Sequence, residues 1–367
     1  LDEFFMVRVG GLQQKVISGI ARGSGADRMP PKEQIERISQ MVRPMDTVAR
    51  VGILINSGFF DGKFFPVFSF LFGAGMFFLL RDNRLAVVIR RLLALAVLGV
   101  AHGLLLFTGD ILVSYALLGF LFLTMRNRST RTLIFIAGLG LLLSGAAYIT
   151  LGLASQTPPA IPQTNYLGGY ADVMRSNVHT YPLSLVFVAL YNVPAAFAMF
   201  CLGYLSLREG WFQKLRAGRI TPLLLTVGLA GNLFYAATVA FHQKQLMPFS
   251  MLALAWTAPL LSAAYVQLFL TWVHSGAAAF LVRWLAAAGE MSLTNYLMQS
   301  LLAGILFHGY GFGLYNRYSM GGLLLFSLAI FTAQLFFSNL WLRYFHSGPA
   351  EWLLRGFARL RFTALRR

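Results

Sequence analysis

A histidine and an aspartate eight residues apart, His102 and Asp110, interrupt one of the most apolar stretches of this chain. An imidazole, with an ordinary pKa of about 6.5, can sit neutral among apolar groups and still act as a base or a proton relay. On one straight helix the two side chains stand about 12 Å apart, too far to pair unless the helix breaks at Gly109. A second polar concentration runs from Gly289-Glu290-Met291-Ser292 through Thr294, Asn295 and Tyr296 to Gln299-Ser300. Ser292, Asn295, Tyr296 and Gln299 recur at i, i+3, i+4 and i+7, which puts them on one helical face. Such a stripe turns inward, either as hydrogen-bonding glue between helices or as the wall of a polar pocket. Glu290 suits the dipole at the start of that helix as a capping charge. The remaining histidines near apolar segments, His242, His274, His308 and His346, share no ligand spacing, and Cys201 is the single cysteine, so no metal site or disulfide is expected. No phosphate loop, zinc-helix motif or nucleophile elbow is present.

The elements that must hold these groups are membrane helices. Of 367 residues, 57% are hydrophobic, 14% aromatic and only 12% charged. Soluble proteins carry about a quarter charged residues. That composition excludes a disordered chain, and the many apolar runs exclude a secreted protein with one removable signal. A span needs about 20 apolar residues to cross a core of about 30 Å. Nine runs are candidates, at 64–80, 92–109, 111–125, 132–154, 183–207, 221–241, 249–272, 285–307 and 320–342. The expected fold is therefore all-α, a polytopic transmembrane helical bundle of about nine spans.

The net charge of +17 is distributed unevenly between the two sides. Eighteen basic residues fall in one set of connections, from Arg81 to Arg367, against four in the other, Lys63, Arg175, Lys244 and Arg317. Basic residues accumulate on the cytoplasmic side, which places the carboxyl terminus there and accounts for the charge without nucleic acid. Gly73-Ala74-Gly75 invites close approach by another helix. Asn192 and Pro194 mark a kink. The stretch 155–182, with Pro158, Pro159 and Pro162, reads as a loop or partial lid. Residues 349–367 form a tail with an apolar and a basic face, suited to the cytoplasmic leaflet. Residues 1–60 fit poorly: the first fifty carry eight basic and six acidic residues, and Val51–Phe60 is too short to span. This points to a truncated or altered amino terminus lacking one membrane helix, with 61–348 as the helical domain.

Four blocks, DGKFFPVFSFLFGAG at 61–75, RRLLALAVLGVAHGLLLFTGDILVSYALLG at 90–119, GEMSLTNYLMQSLL at 289–302 and SNLWLRYFHSGPAEWLLR at 338–355, resemble the YeiB-like bacterial membrane proteins, the domain of unknown function 418 family. The matching positions include Lys63, Gly73, His102, Asp110, Tyr115, Asn295, Tyr296, Gln299, Ser300 and Glu351. The opening helix usual in that family, LDxLRGxALxGILxVN, has no full counterpart in residues 1–60. The family is remotely similar to transmembrane acyltransferases, which implies an inner-membrane location and an acyl-thioester donor.

Three functions are compatible with these residues. In the first, an acyl-type group passes to a small-molecule or lipid substrate, with His102 as base, Asp110 orienting the acceptor, and Tyr115, Ser292, Asn295, Tyr296 and Gln299 lining the cavity. In the second, His102 and Asp110 couple protons to transport or lipid translocation. In the third, the polar stripe only glues helices of a non-catalytic scaffold. Substrate, donor and oligomeric state are not encoded in any recognisable motif.

Overall fold

The computed structural model describes residues 47–155, 166–211, 214, 218–315, 317–318 and 320–367. Residues 1–46, and the proline-rich part of the expected lid at 156–165, lie outside the described residues. The helices are α1 (Thr47–Ile55), α2 (Phe64–Asp82), α3 (Leu85–Leu105), α4 (Leu112–Met125) and α5 (Thr130–Ala154) in the first part of the chain. There follow α6 (Tyr170–Tyr191), α7 (Val193–Arg208), α8 (Thr221–Ala240), α9 (Met247–His274), α10 (Ala279–Glu290), α11 (Ser292–Phe307), α12 (Met320–Tyr344) and α13 (Pro349–Arg359). No named strand occurs among the described residues, and the fold is an all-helical membrane bundle.

The count of nine spans is corrected. Among the described residues six helical segments are long and apolar enough to cross a membrane, or seven if the bent pair α6 and α7 is one span. The run at 111–125 forms only the 14 residues of α4. The run at 285–307 breaks at Met291 into pieces of 12 and 16 residues. All three are shorter than the roughly 20 residues a span requires. In turn Val51–Phe60 is not isolated: through a π-helical turn at Asn56–Phe60 it joins α2 into one interrupted segment, Arg50–Asp82. The carbonyls loosened by that turn are met by Lys63, whose buried Nζ donates to the carbonyl oxygens of Ser57 and Asp61. The second half of the expected lid, from Tyr170, is helix α6, and it meets α7 at 58° beside Asn192 and Pro194.

Many large apolar side chains stay exposed, among them Phe135, Leu142 and Leu325, as expected of a surface that faces lipid. Lipid tails give apolar helices no hydrophobic reason to associate, so fit between backbones matters more than in water. The main core gathers Phe122 of α4, Leu133 of α5 and Phe200 and Leu205 of α7 around Met76 of α2. There α2 and α7 cross backbone to backbone. A Cβ on Gly73 would lie 2.0 Å from the Phe200 carbonyl oxygen, and one on Gly203 would lie 1.9 Å from that of Phe70. Gly75 has open space beside it. Gly203→Ala is therefore expected to destabilise the bundle by about 3 kcal/mol or more, at the upper end of overpacking costs. Gly75→Ala should leave the melting temperature in detergent unchanged or raise it slightly.

One end of the bundle collects the basic residues. The end of α4 and start of α5 meet the end of α7, where Arg208 donates to the Arg128 carbonyl and the Thr130 hydroxyl at 3.0 and 2.9 Å. Near this end Arg81 is paired with Asp82, and Arg90 donates to the carbonyl of Ala358 in α13.

The connection after α11 closes against the start of α6. His308 stacks on Tyr166 at 5.2 Å, and the Gly309 amide donates to the Tyr166 carbonyl. Burial pushes the His308 imidazole down to about 4. A histidine held neutral in the fold and free to protonate when unfolded contributes stability that is complete above about pH 6.5 and is lost as pH falls towards 4. Thermal melting at pH 4.5 against pH 7.5 should show a loss of at most about 2 to 3 kcal/mol from this group, absent in His308→Gln.

Candidate functional site

The break between α3 and α4 brings the site together. Helix α3 ends three residues after His102, whose carbonyl accepts the amides of Leu106 and Phe107 at 2.9 and 3.0 Å. The chain then turns back through Gly109, and Asp110 arrives at the amino end of α4. The helix thus breaks before Gly109, and the 12 Å separation of a straight helix collapses to a hydrogen bond. His102 Nδ1 lies 2.9 Å from Asp110 Oδ1, and the Val113 amide donates to Asp110 Oδ2 at 3.0 Å. The free amides at the start of α4 favour a carboxylate there. On the other side of the ring, His102 Nε2 lies 2.9 Å from Ser300 Oγ of α11. In the tautomer with the imidazole proton on Nδ1, Asp110 accepts through both oxygens and Nε2 is the acceptor facing the Ser300 hydroxyl. All three side chains are buried, none more than 3% exposed.

Two glycines on α3 make this packing possible. A Cβ on Gly99 would come within 2.8 Å of Asp110 Oδ2, and one on Gly103 within 2.2 Å of the Tyr181 ring. Tyr181 of α6 fills that space and donates to the Gly99 carbonyl at 3.3 Å. Tyr296 lies one turn before Ser300 on α11 and sets its ring 4.9 Å from the imidazole. The tail fixes the start of the same helix. Glu351 of α13 accepts the amides of Leu293 and Thr294 at 2.7 and 3.0 Å and the Thr294 hydroxyl at 2.6 Å. The capping carboxylate is thus Glu351, while Glu290, expected in that role, ends α10 and is exposed.

The expected stripe on α11 divides into two lines about 100° apart, one residue being a rotation of that size. Tyr296 and Ser300 face His102. Asn295 and Gln299 face α12: Asn295 donates to Ser338 Oγ at 3.0 Å, Gln299 to Gln334 Oε1 at 2.8 Å, and Gln334 to the Asn295 carbonyl at 2.8 Å. These two glue helices together. Ser292 is exposed at the start of α11. Tyr115 lies in the apolar core, stacked on Phe72 at 5.2 Å with its hydroxyl 3.1 Å from Ser69 Oγ. Ser300 is not among the expected site residues although it lies i+4 from Tyr296, and that spacing is the signal that could have found it. No group of three or more potential metal-binding side chains occurs among the described residues.

Residues 206–361, which include Tyr296, Ser300 and Glu351, match the family described as protein of unknown function DUF418. The chain is 31% identical over 334 residues to the uncharacterized protein YxaH of Bacillus subtilis (strain 168), covering 81% of this chain and 79% of that one. It is 32% identical over 323 residues to the uncharacterized protein YeiB of Escherichia coli (strain K12), covering 80% of each. The chain belongs to the DUF418 family. Residues 1–51 match a different family, the polyphosphate kinase N-terminal domain. The polyphosphate kinase of Thermosynechococcus vestitus is 57% identical over 47 residues there, 13% of this chain and 6% of that one. No solved structure matches the chain.

Proposed function

We propose that this DUF418 protein is an acyl-transfer enzyme of the bacterial inner membrane, with Ser300 as nucleophile, His102 as base and Asp110 as the group that orients the imidazole. The observation that carries this reading is the hydrogen-bonded chain Ser300 Oγ, His102 Nε2, His102 Nδ1, Asp110 Oδ1, with 2.9 Å at each link. A serine hydroxyl is a weak nucleophile until a neighbouring base takes its proton, and a base works best when a third group fixes its tautomer. In the first half-reaction Ser300 Oγ attacks the carbonyl carbon of an ester or thioester donor. The C–O bond to serine forms, the donor's C–S or C–O bond breaks, and His102 delivers the serine proton to the leaving group. In the second, an acceptor hydroxyl or amine gives its proton to His102 and attacks the acyl-serine. The acyl group leaves on the acceptor, and the proton returns to Ser300.

Asp110 thereby takes a different part from the one expected of it, orienting the base and not the acceptor. The excess of basic residues at one set of helix ends supports a cytoplasmic carboxyl terminus. The site lies about 12 Å along α11 from its capped start, within the thickness of a bilayer.

Proton-coupled transport is favoured by one feature, the buried His102–Asp110 pair, but it gives Ser300 no chemical role. Purified full-length protein, incubated with radiolabelled acyl thioesters and phospholipids as donors and an inner-membrane lipid extract as acceptor, distinguishes the two. Labelled product that disappears in Ser300→Ala supports transfer. Proton-driven movement of unaltered substrate that persists in Ser300→Ala supports transport.

A further inference from the structure

The tail forms a pocket that the acyl-transfer chemistry does not use. Helix α13 buries Leu354, Gly356 and Ala358, and packs on α3. Leu360 then takes a left-handed conformation, φ 54°, and reverses the chain. The returning strand is held by the amides of His346 and Arg367, which donate to the carbonyls of Leu365 and Tyr344 at 2.9 Å. The Trp352 indole donates to the Thr363 carbonyl at 2.7 Å. This fold-back encloses about 70 Å³ lined by Arg355, Arg359, Arg361, His346, Trp352 and Thr363, among others.

No acidic side chain lines the pocket. The ion pairs among the described residues are Arg81–Asp82, His102–Asp110, Arg175–Asp172 and Arg208–Glu209, so none neutralises these three guanidinium groups. Glu351, the acid of the same helix, is engaged by the start of α11. Arg91 of α3 adds a further positive charge within electrostatic reach of Arg355 and Arg359. Against these four positive charges Glu351, also within electrostatic reach of Arg91, sets one negative charge and the carboxyl end of α13 about half of one, which leaves more than two positive charges unbalanced.

We propose that this pocket binds a phosphate group. Planar guanidinium forks match phosphate oxygens in pairs, and three of them on one small cavity supply both the charge and the directed donors. The phosphate of an anionic lipid is within reach, because Leu353, Phe357, Leu360 and Phe362 stand exposed on the same segment and give it the apolar side of an interfacial helix. A soluble phosphorylated compound offers the same group from the cytoplasmic side.

The test uses the full chain in phosphatidylcholine nanodiscs, with thermal melting followed against added inorganic pyrophosphate in one arm and increasing phosphatidylglycerol in the other. The wild type should respond saturably in at least one arm, and the Arg355→Gln/Arg359→Gln/Arg361→Gln variant should bind about tenfold or more weakly, as loss of charge-assisted hydrogen bonds demands. Response to pyrophosphate alone identifies a soluble phosphate, and response to phosphatidylglycerol alone a lipid headgroup; each supports the site. No saturable response in either arm, or an equal response in the triple variant, overturns it. If the triple variant does not fold, each single variant must weaken binding, and wild-type affinity in all three overturns the site equally. Because Ser300→Ala leaves this pocket untouched, its response separates the phosphate site from the acyl-transfer reading.

Discussion

Ser300→Ala abolishes acyl transfer to within the residual left by substrate binding, a fall of about 10⁶ in rate, comparable to removal of the serine from other hydrogen-bonded serine triads. His102→Ala gives a fall of the same size, and the double variant falls no further, because the two residues act on one proton. That non-additivity is the signature to look for: independent contributions would multiply. The substitution at Ser300 removes one hydroxyl from α11, whose start remains capped by Glu351 and whose partner helix α12 remains bonded to Asn295 and Gln299. The variant should therefore accumulate in the membrane at wild-type levels. A loss of stability no larger than about 1 to 3 kcal/mol, that of one buried hydrogen bond, alongside lost transfer, separates chemistry from folding, and wild-type transfer in Ser300→Ala would remove the nucleophile from the account.

Asp110→Asn is the second large effect, about 10⁴ in rate by the logic of a wrong tautomer. The asparagine keeps the volume and can still accept the Val113 amide proton through its carbonyl oxygen. Its amide group then presents a donor to His102 Nδ1, which must become an acceptor. The imidazole proton moves to Nε2, and the base that should receive the Ser300 proton is already protonated there. Measured as transfer rate per folded molecule, Asp110→Asn should lose most of the transfer while retaining more than Ser300→Ala does. A variant with nearly normal rate would show that Asp110 serves the start of α4 alone.

Both effects depend on a turn that the sequence marks only weakly. A helical reading of residues 92–109 runs straight past Leu105, because every residue from Leu104 to Phe107 is apolar and nothing in their hydropathy signals a break. Gly109 is a visible candidate for the break, and the pairing of His102 with Asp110 follows from it conditionally. The actual end at Leu105 is set by tertiary contacts: Tyr181 wedged against Gly103, and Asp110 seated against Gly99. Gly99 and Gly103 are readable in sequence as small residues but not as the two recesses that hold a phenol and a carboxylate. The inward turn of the α11 stripe is legible from its spacing, whereas its division between His102 and α12 depends on which neighbours stand on either side. The all-helical membrane fold is the plainest feature, carried by composition. The number of spans is not, because hydropathy does not reveal that Met291 divides one apolar run or that a π-helical turn joins Val51–Phe60 to α2.

Covalent capture of the nucleophile tests the central claim most directly. The purified chain is treated with an alkyl fluorophosphonate, which adds to serines activated by a neighbouring base, and the adduct is located by peptide mass spectrometry. The account predicts one modified residue, Ser300, with labelling lost in Ser300→Ala and strongly slowed in His102→Ala and Asp110→Asn. An unlabelled Ser300 in folded protein, or labelling that proceeds at the same rate without His102, would contradict it.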